Sequence, residues 1–150
     1  MRHGHVDYFD PKLTDLRDAP LTDEGRAQAG AAADALSGVS LDAAVCSGLL
    51  RTRQTADIIL TRHPRAPRLA EEGRLEELRS VWLEAKSREE LAARLAYCFE
   101  GAGEPDARFL PKGERFADAE TRIVAALNAF LTSGSWRTAL VVAHEGVNRI

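Results

Sequence analysis

At 150 residues, 45% hydrophobic and 29% charged, the chain has the length of one domain and the composition of a soluble globular protein with a core of its own. A net charge of -3 argues against nucleic acid as a partner, since such proteins carry a basic surplus, and any anion site must come from local placement of arginine. Cys46 and Cys98 lie far apart without CxxC spacing, no apolar run approaches the roughly 20 residues of a membrane span, and no signal peptide precedes Arg2. The expectation is a cytoplasmic protein without disulfides, zinc ribbon or membrane partner.

The chain opens on Met1-Arg2-His3-Gly4-His5. Arg2 offers a planar fork of donors suited to phosphate oxygens, His3 is a nitrogen nucleophile when neutral, and Gly4 lets backbone approach an anion closely. The same letters carry a rival, because His3-x-His5-x-Asp7 alternates as metal ligands do on one side of an extended segment. Residues 8–19 hold Pro11 and several aspartates and read as surface loop. Thr22 then caps an alanine-rich helix that runs to about Leu36, with Gly38 as its stop. Residues 41–46 form a short buried strand, interrupted by Ser47-Gly48. A second helix covers residues 50–60 and ends at His63-Pro64.

Residues 65–72 are loop with room for a short strand, followed by Leu75-Glu76-Glu77-Leu78 on an element the pattern does not define. Ser87-Arg88-Glu89-Glu90 is a capping box, and Leu91, Leu95 and Phe99 recur at helical spacing up to Gly101. A loop with Gly and Pro leads to Gly113. The longest helix spans about residues 114–132, with Phe116, Ile123, Leu127 and Phe130 on one face. Residues 138–143 are the clearest strand, and it delivers His144 at its carboxyl end. Strands alternating with helices predict a mostly parallel sheet covered on both faces, whose ligands gather beyond the carboxyl ends of the strands. Ser47 and His144 each follow one strand, and His3 should follow a third, of which only Met1 is present. Both ends are expected to be trimmed, since a helix should be starting after His144.

Four stretches now fall into one pattern: Arg2-His3-Gly4; Pro20-Leu21-Thr22-x-x-Gly25-x-x-Gln28-Ala29; Ser47-x-x-Leu50-Arg51-Thr52-x-Gln54-Thr55-Ala56; and Val142-Ala143-His144-Glu145-Gly146-Val147-x-Arg149. In this order and spacing they resemble the histidine phosphatase family, also called the phosphoglycerate mutase-like superfamily, across essentially the whole chain. The resemblance implies a three-layer α/β/α sandwich, a phosphohistidine mechanism, and no metal or organic cofactor. It makes His3 the nucleophile and Arg2, Arg51 and His144 the rest of the phosphate pocket. Leu75-x-Glu77 resembles the proton-donor motif, which makes Glu77 the general acid, with Glu76 as a competing assignment. Residues 78–112 would form the cap that selects the substrate, and Pro111-x-Gly113-Glu114 would flank the pocket.

Physical chemistry supports these roles. Arg2 and Arg51 should favour neutral His3, because a like charge opposes protonation. Fixed Arg and His donors stabilise the charge that gathers on the equatorial oxygens during transfer. A partly buried Glu77 beside a phosphate dianion should hold the proton that the leaving alkoxide needs. The family frame is not filled everywhere: His5, Val6 and Phe9 stand where Glu/Gln, Thr and Asn are frequent, Glu145 stands where Gly is common, and Arg115 replaces a frequent Ser. Cys46 has four residues between it and Arg51, one fewer than the cysteine-phosphatase loop requires.

The leading expectation is a phosphomonoester hydrolase acting on a small phosphorylated metabolite. The alternative within the family is a phosphoglycerate mutase-type phosphotransferase. From other classes come a metal-dependent hydrolase using His3, His5 and Asp7, and an inactive phosphate-binding or interaction module. A homodimer is left open.

Overall fold

The computed structural model describes residues 1–80 and 87–150. Its centre is a parallel three-stranded sheet in the order β2-β1-β3, from β1 (Ala43–Cys46), β2 (Leu69–Glu71) and β3 (Ala139–Val142). In register, Val45 lies between Ala70 on one side and Val141 on the other. Successive side chains of a strand point to opposite faces, so β1 and β3 serve two cores at once. On one face Ala44, Cys46, Leu140 and Val142 pack with Ala33, Ala56 and Ile59 of α1 (Asp23–Leu36) and α2 (Leu50–Leu60). On the other, Val45, Ala143 and Val141 meet Phe116, Ala119, Ile123 and Ala126 of α4 (Phe116–Thr132) together with Leu75 and Leu78. Helices on both faces of a parallel sheet make a three-layer α/β/α architecture, as the sequence pattern predicts.

The helix starts follow local chemistry. Thr22 Oγ1 accepts the Gly25 amide at 3.1 Å, and Ser87 Oγ accepts that of Glu90 at 3.1 Å, each relieving an unpaired first-turn donor. The second of these opens α3 (Arg88–Leu95), which ends well before Gly101 and buries no residue completely. The helical spacing of Leu91, Leu95 and Phe99 overstated its length: Phe99 packs on the α4 core from a turn, while Leu95 is exposed.

The strand expected before His3 is reduced to a short parallel pairing along β3. Arg2 is bridged to Ala143, the His3 amide donates to the Ala143 carbonyl at 3.1 Å, and the Ala143 amide donates to that of Met1 at 2.9 Å. After β3 the chain turns into α5 (Glu145–Arg149). Residues 81–86 of the expected cap segment lie outside the described residues; the rest of it holds α3, turns and an isolated antiparallel bridge from Arg108 to Arg115.

Candidate active site

Because residues 1–3 run beside β3, His3 and His144 leave the same end of two neighbouring backbone segments. Their rings lie 5.1 Å apart, centroid to centroid, at 67°, and both side chains are buried. His3 Nδ1 is 2.7 Å from the Gly4 carbonyl oxygen. A carbonyl only accepts, so Nδ1 carries the proton and Nε2 keeps its lone pair. The His3 pKa is lowered to about 4, by burial above all and then by Arg51 and Arg2, with the Gly4 carbonyl opposing them. The imidazole is therefore neutral near pH 7, as expected from the arginines, although burial is the larger cause.

The second imidazole is fixed by a chain of hydroxyls. Thr52 Oγ1 donates to the Leu49 carbonyl at 2.7 Å and so accepts from Ser47 Oγ at 3.0 Å. Ser47 Oγ, its one proton spent, accepts from His144 Nε2 at 2.8 Å. His144 Nδ1 is left buried without a partner among the described residues. Burial, and next Arg51, hold its pKa well below the ordinary histidine value.

Arg51, in the first turn of α2, is 5% exposed. It gives one terminal nitrogen to the Leu16 carbonyl at 3.1 Å, keeps its Nε buried without a partner among the described residues, and lies 5.7 Å from the centre of the Tyr8 ring. A cation with a donor to spare, at the helix end that already attracts anions, is built for an acceptor-rich ligand. Burial lowers its pKa. Arg2 is more open and donates to Glu145 at 2.8 Å.

The two adjacent carboxylates diverge. Glu76 is held by both terminal nitrogens of Arg17 at 2.8 Å each. Glu77 turns the other way and accepts the amides of Leu78 at 2.9 Å and Gly146 at 3.3 Å, the latter in the turn that follows His144. A Cβ on Gly146 would stand 2.4 Å from Glu77 Oε1, so glycine there is what lets the carboxylate reach α5. The loop carrying Glu77 is held from outside by Arg122 of α4. That guanidinium pairs in two-pronged fashion with Glu114 at 2.7 and 2.8 Å and also donates to the carbonyls of Arg74 and Glu76.

Thus His3, His144, Arg51 and Glu77 converge from four separate stretches, and Arg2 stands at their edge. Gly4 has work the sequence did not suggest: its added Cβ would stand 2.4 Å from the Gly25 carbonyl oxygen, so glycine there admits the backbone of α1. His3, His5 and Asp7 do not converge. His5 bonds Thr22 at 2.9 Å and Asp7 bonds Arg88 at 2.7 Å, and among the described residues no cluster of three His, Cys, Asp or Glu side chains is arranged to hold a metal ion. His63, just beyond the end of α2, is buried. Sequence reasoning missed Tyr8, assigned to surface loop although an aromatic so close to His3 was a usable signal. It also gave no role to Ser47 and Thr52, which sit inside a quoted motif, and none to Arg122, whose carbonyl contacts leave no mark on the sequence.

The family model for the histidine phosphatase superfamily (branch 1) matches residues 1–150, so the chain belongs to that superfamily. It is a phosphatase by class. Among solved structures it is similar to YhfR of Bacillus stearothermophilus, with 28% identity, a TM-score of 0.73, and coverage of 98% of this chain and 73% of that one. The alpha-ribazole phosphatase of Shigella flexneri follows at 25% identity and TM-score 0.70, covering 99% and 73%. Phosphoglycerate mutase of Thermus thermophilus is 29% identical at TM-score 0.58, covering 97% and 76%. No curated protein sequence matches the chain. Among the described residues no helix is long and apolar enough to cross a membrane.

Proposed function

We propose that the chain hydrolyses small phosphomonoesters through a phosphohistidine intermediate on His3. The observation that carries this reading is the Nδ1 to Gly4 carbonyl bond, which leaves a neutral imidazole with a lone pair at Nε2 beside a second buried imidazole and the buried Arg51. Nε2 attacks phosphorus as the ester P–O bond breaks, and the protonated Glu77 carboxyl gives its proton to the departing oxygen. Glu77 then takes a proton from water as that water attacks phospho-His3, the P–N bond breaks, and orthophosphate leaves. Arg51, Arg2 and His144 bind the phosphoryl oxygens. Because His144 already commits its Nε2 proton to Ser47, it donates from Nδ1 only as the imidazolium, so anion binding and protonation of His144 go together. Glu77 is preferred to Glu76 because Arg17 occupies both oxygens of Glu76.

The phosphatase is preferred to the mutase because a mutase must also hold a sugar acid, and Arg2, Arg17, Arg88 and Arg149 are already paired with carboxylates, which leaves Arg51 for the phosphate alone. The test is an acid quench after mixing with a labelled phosphomonoester. Acid-labile, alkali-stable label is expected on the chain, absent in His3→Ala, whose turnover should fall by at least about 1,000-fold. Turnover persisting in His3→Ala would end the reading.

A further inference from the structure

We propose that the pocket is adapted to phosphomonoesters whose remainder carries no further negative charge, and that Glu145 sets this preference. The inference rests on the hydrolytic reading above and names its substrate class. A phosphate needs cations, and a substrate with an additional carboxylate or phosphate needs a second set. Among the described residues, Arg2, Arg17, Arg88 and Arg149 do not offer one. Arg2 donates to Glu145 at 2.8 Å, and Arg149 approaches the other oxygen of the same carboxylate at 3.6 Å. Arg17 adjoins Leu16, whose carbonyl holds Arg51, and is bound by Glu76 at 2.8 Å. Arg88, opening α3, is bound at 2.7 Å by Asp7, the neighbour of the Tyr8 ring beside Arg51. Of these five arginines only Arg51 has no carboxylate partner among the described residues, and it is the buried one. One uncompensated guanidinium thus serves the phosphate, and the four arginines on the adjoining segments are compensated.

Glu145 is the decisive member because it directly follows His144 and is shared by two arginines. A second anionic group reaching Arg2 or Arg149 must either displace Glu145 or lie beside a like charge. The phosphoryl group itself still finds donors on Arg2, because the ion pair engages one terminal nitrogen and leaves the other and Nε. Both partners are about half exposed, so the effect is discrimination and not exclusion.

The test compares phenyl phosphate with 4-carboxyphenyl phosphate at low ionic strength, in the wild-type chain and in Glu145→Gln. The wild type should favour phenyl phosphate in kcat/KM. Glu145→Gln should narrow that preference by about 3-fold, chiefly through KM, and the ratio of ratios cancels the intrinsic difference between the leaving groups. An unchanged preference in Glu145→Gln, or no preference in the wild type, overturns the proposal. Calorimetry with phenylphosphonate and 4-carboxyphenylphosphonate separates the two readings. If neither ester turns over yet the phosphonates bind with the Glu145-dependent preference, hydrolysis is refuted and the present inference stands. If the phosphonates bind without preference, the inference fails whatever the turnover.

Discussion

Ser47 is a small residue on which a large one depends. Its hydroxyl accepts from His144 Nε2 and donates to Thr52, so it fixes both the ring's orientation and which nitrogen holds the proton. Ser47→Ala leaves a buried N–H without an acceptor, which should cost about 1–3 kcal/mol of stability. It should also lower kcat/KM by about 10-fold as His144 loses its orientation, while phospho-His3 still forms. Steady-state kinetics beside the acid-quench label checks this, and an unchanged kcat/KM would remove Ser47 from the account. The positions of Arg2, His3, Arg51, Glu77 and His144 were legible in the sequence because each sits in a motif with fixed spacing. The support around them was not. A hydroxyl relay depends on which proton goes where, and the two-pronged Arg17 to Glu76 pair, which separates two adjacent glutamates, joins residues far apart in the chain.

Among elements, the loop from β2 to Glu77 is the one whose shape is imposed from elsewhere. It has only a 3-10 turn of its own, Gly73–Leu75, and takes its order from Arg122 on α4. Burial alone would raise the pKa of Glu114, but the Arg122 fork and the Arg79 amide overcome it and hold the carboxyl below its ordinary value. Arg122→Met removes one half of this enclosed pair and strands the other, which should cost about 3–5 kcal/mol. Arg122→Lys keeps the charge but loses the planar fork, so it should recover only part of that loss. Urea midpoints of the three chains check the order. Equal midpoints for Arg122→Met and the wild type would mean that the loop holds itself.

For the molecule as a whole, two buried neutral imidazoles tie stability to pH. The His3 pKa is about 4 in the folded chain against an ordinary 6.5, and that of His144 is also depressed. Above about pH 6.5 both states leave these rings neutral and nothing is lost. As pH falls from there, the unfolded chain binds protons that the folded chain refuses, and stability drops until the folded value is reached. At about pH 5 the loss should be about 2 kcal/mol for each ring. Urea unfolding at about pH 7.5 and pH 5 measures it, and His3→Gln should lessen the dependence; a slope that His3→Gln leaves unchanged would contradict this source. The alternation of helix and short apolar strand made the layered fold legible, because both layers and parallel direction follow from it. The run past α3 was misjudged since helical spacing of apolar residues also arises where separate turns press on one core.

The rung between His3 and Ala143 carries one more consequence. The gap between the two imidazoles is set by the spacing of adjacent backbones and not by the long stretch of polypeptide linking them. Lengthening or shortening a surface loop anywhere in that stretch therefore leaves the gap alone. One extra residue inserted within β3 ahead of Ala143 would swing the imidazole to the far side of the sheet, so the gap survives changes in loop length and not a single-residue slip in that strand.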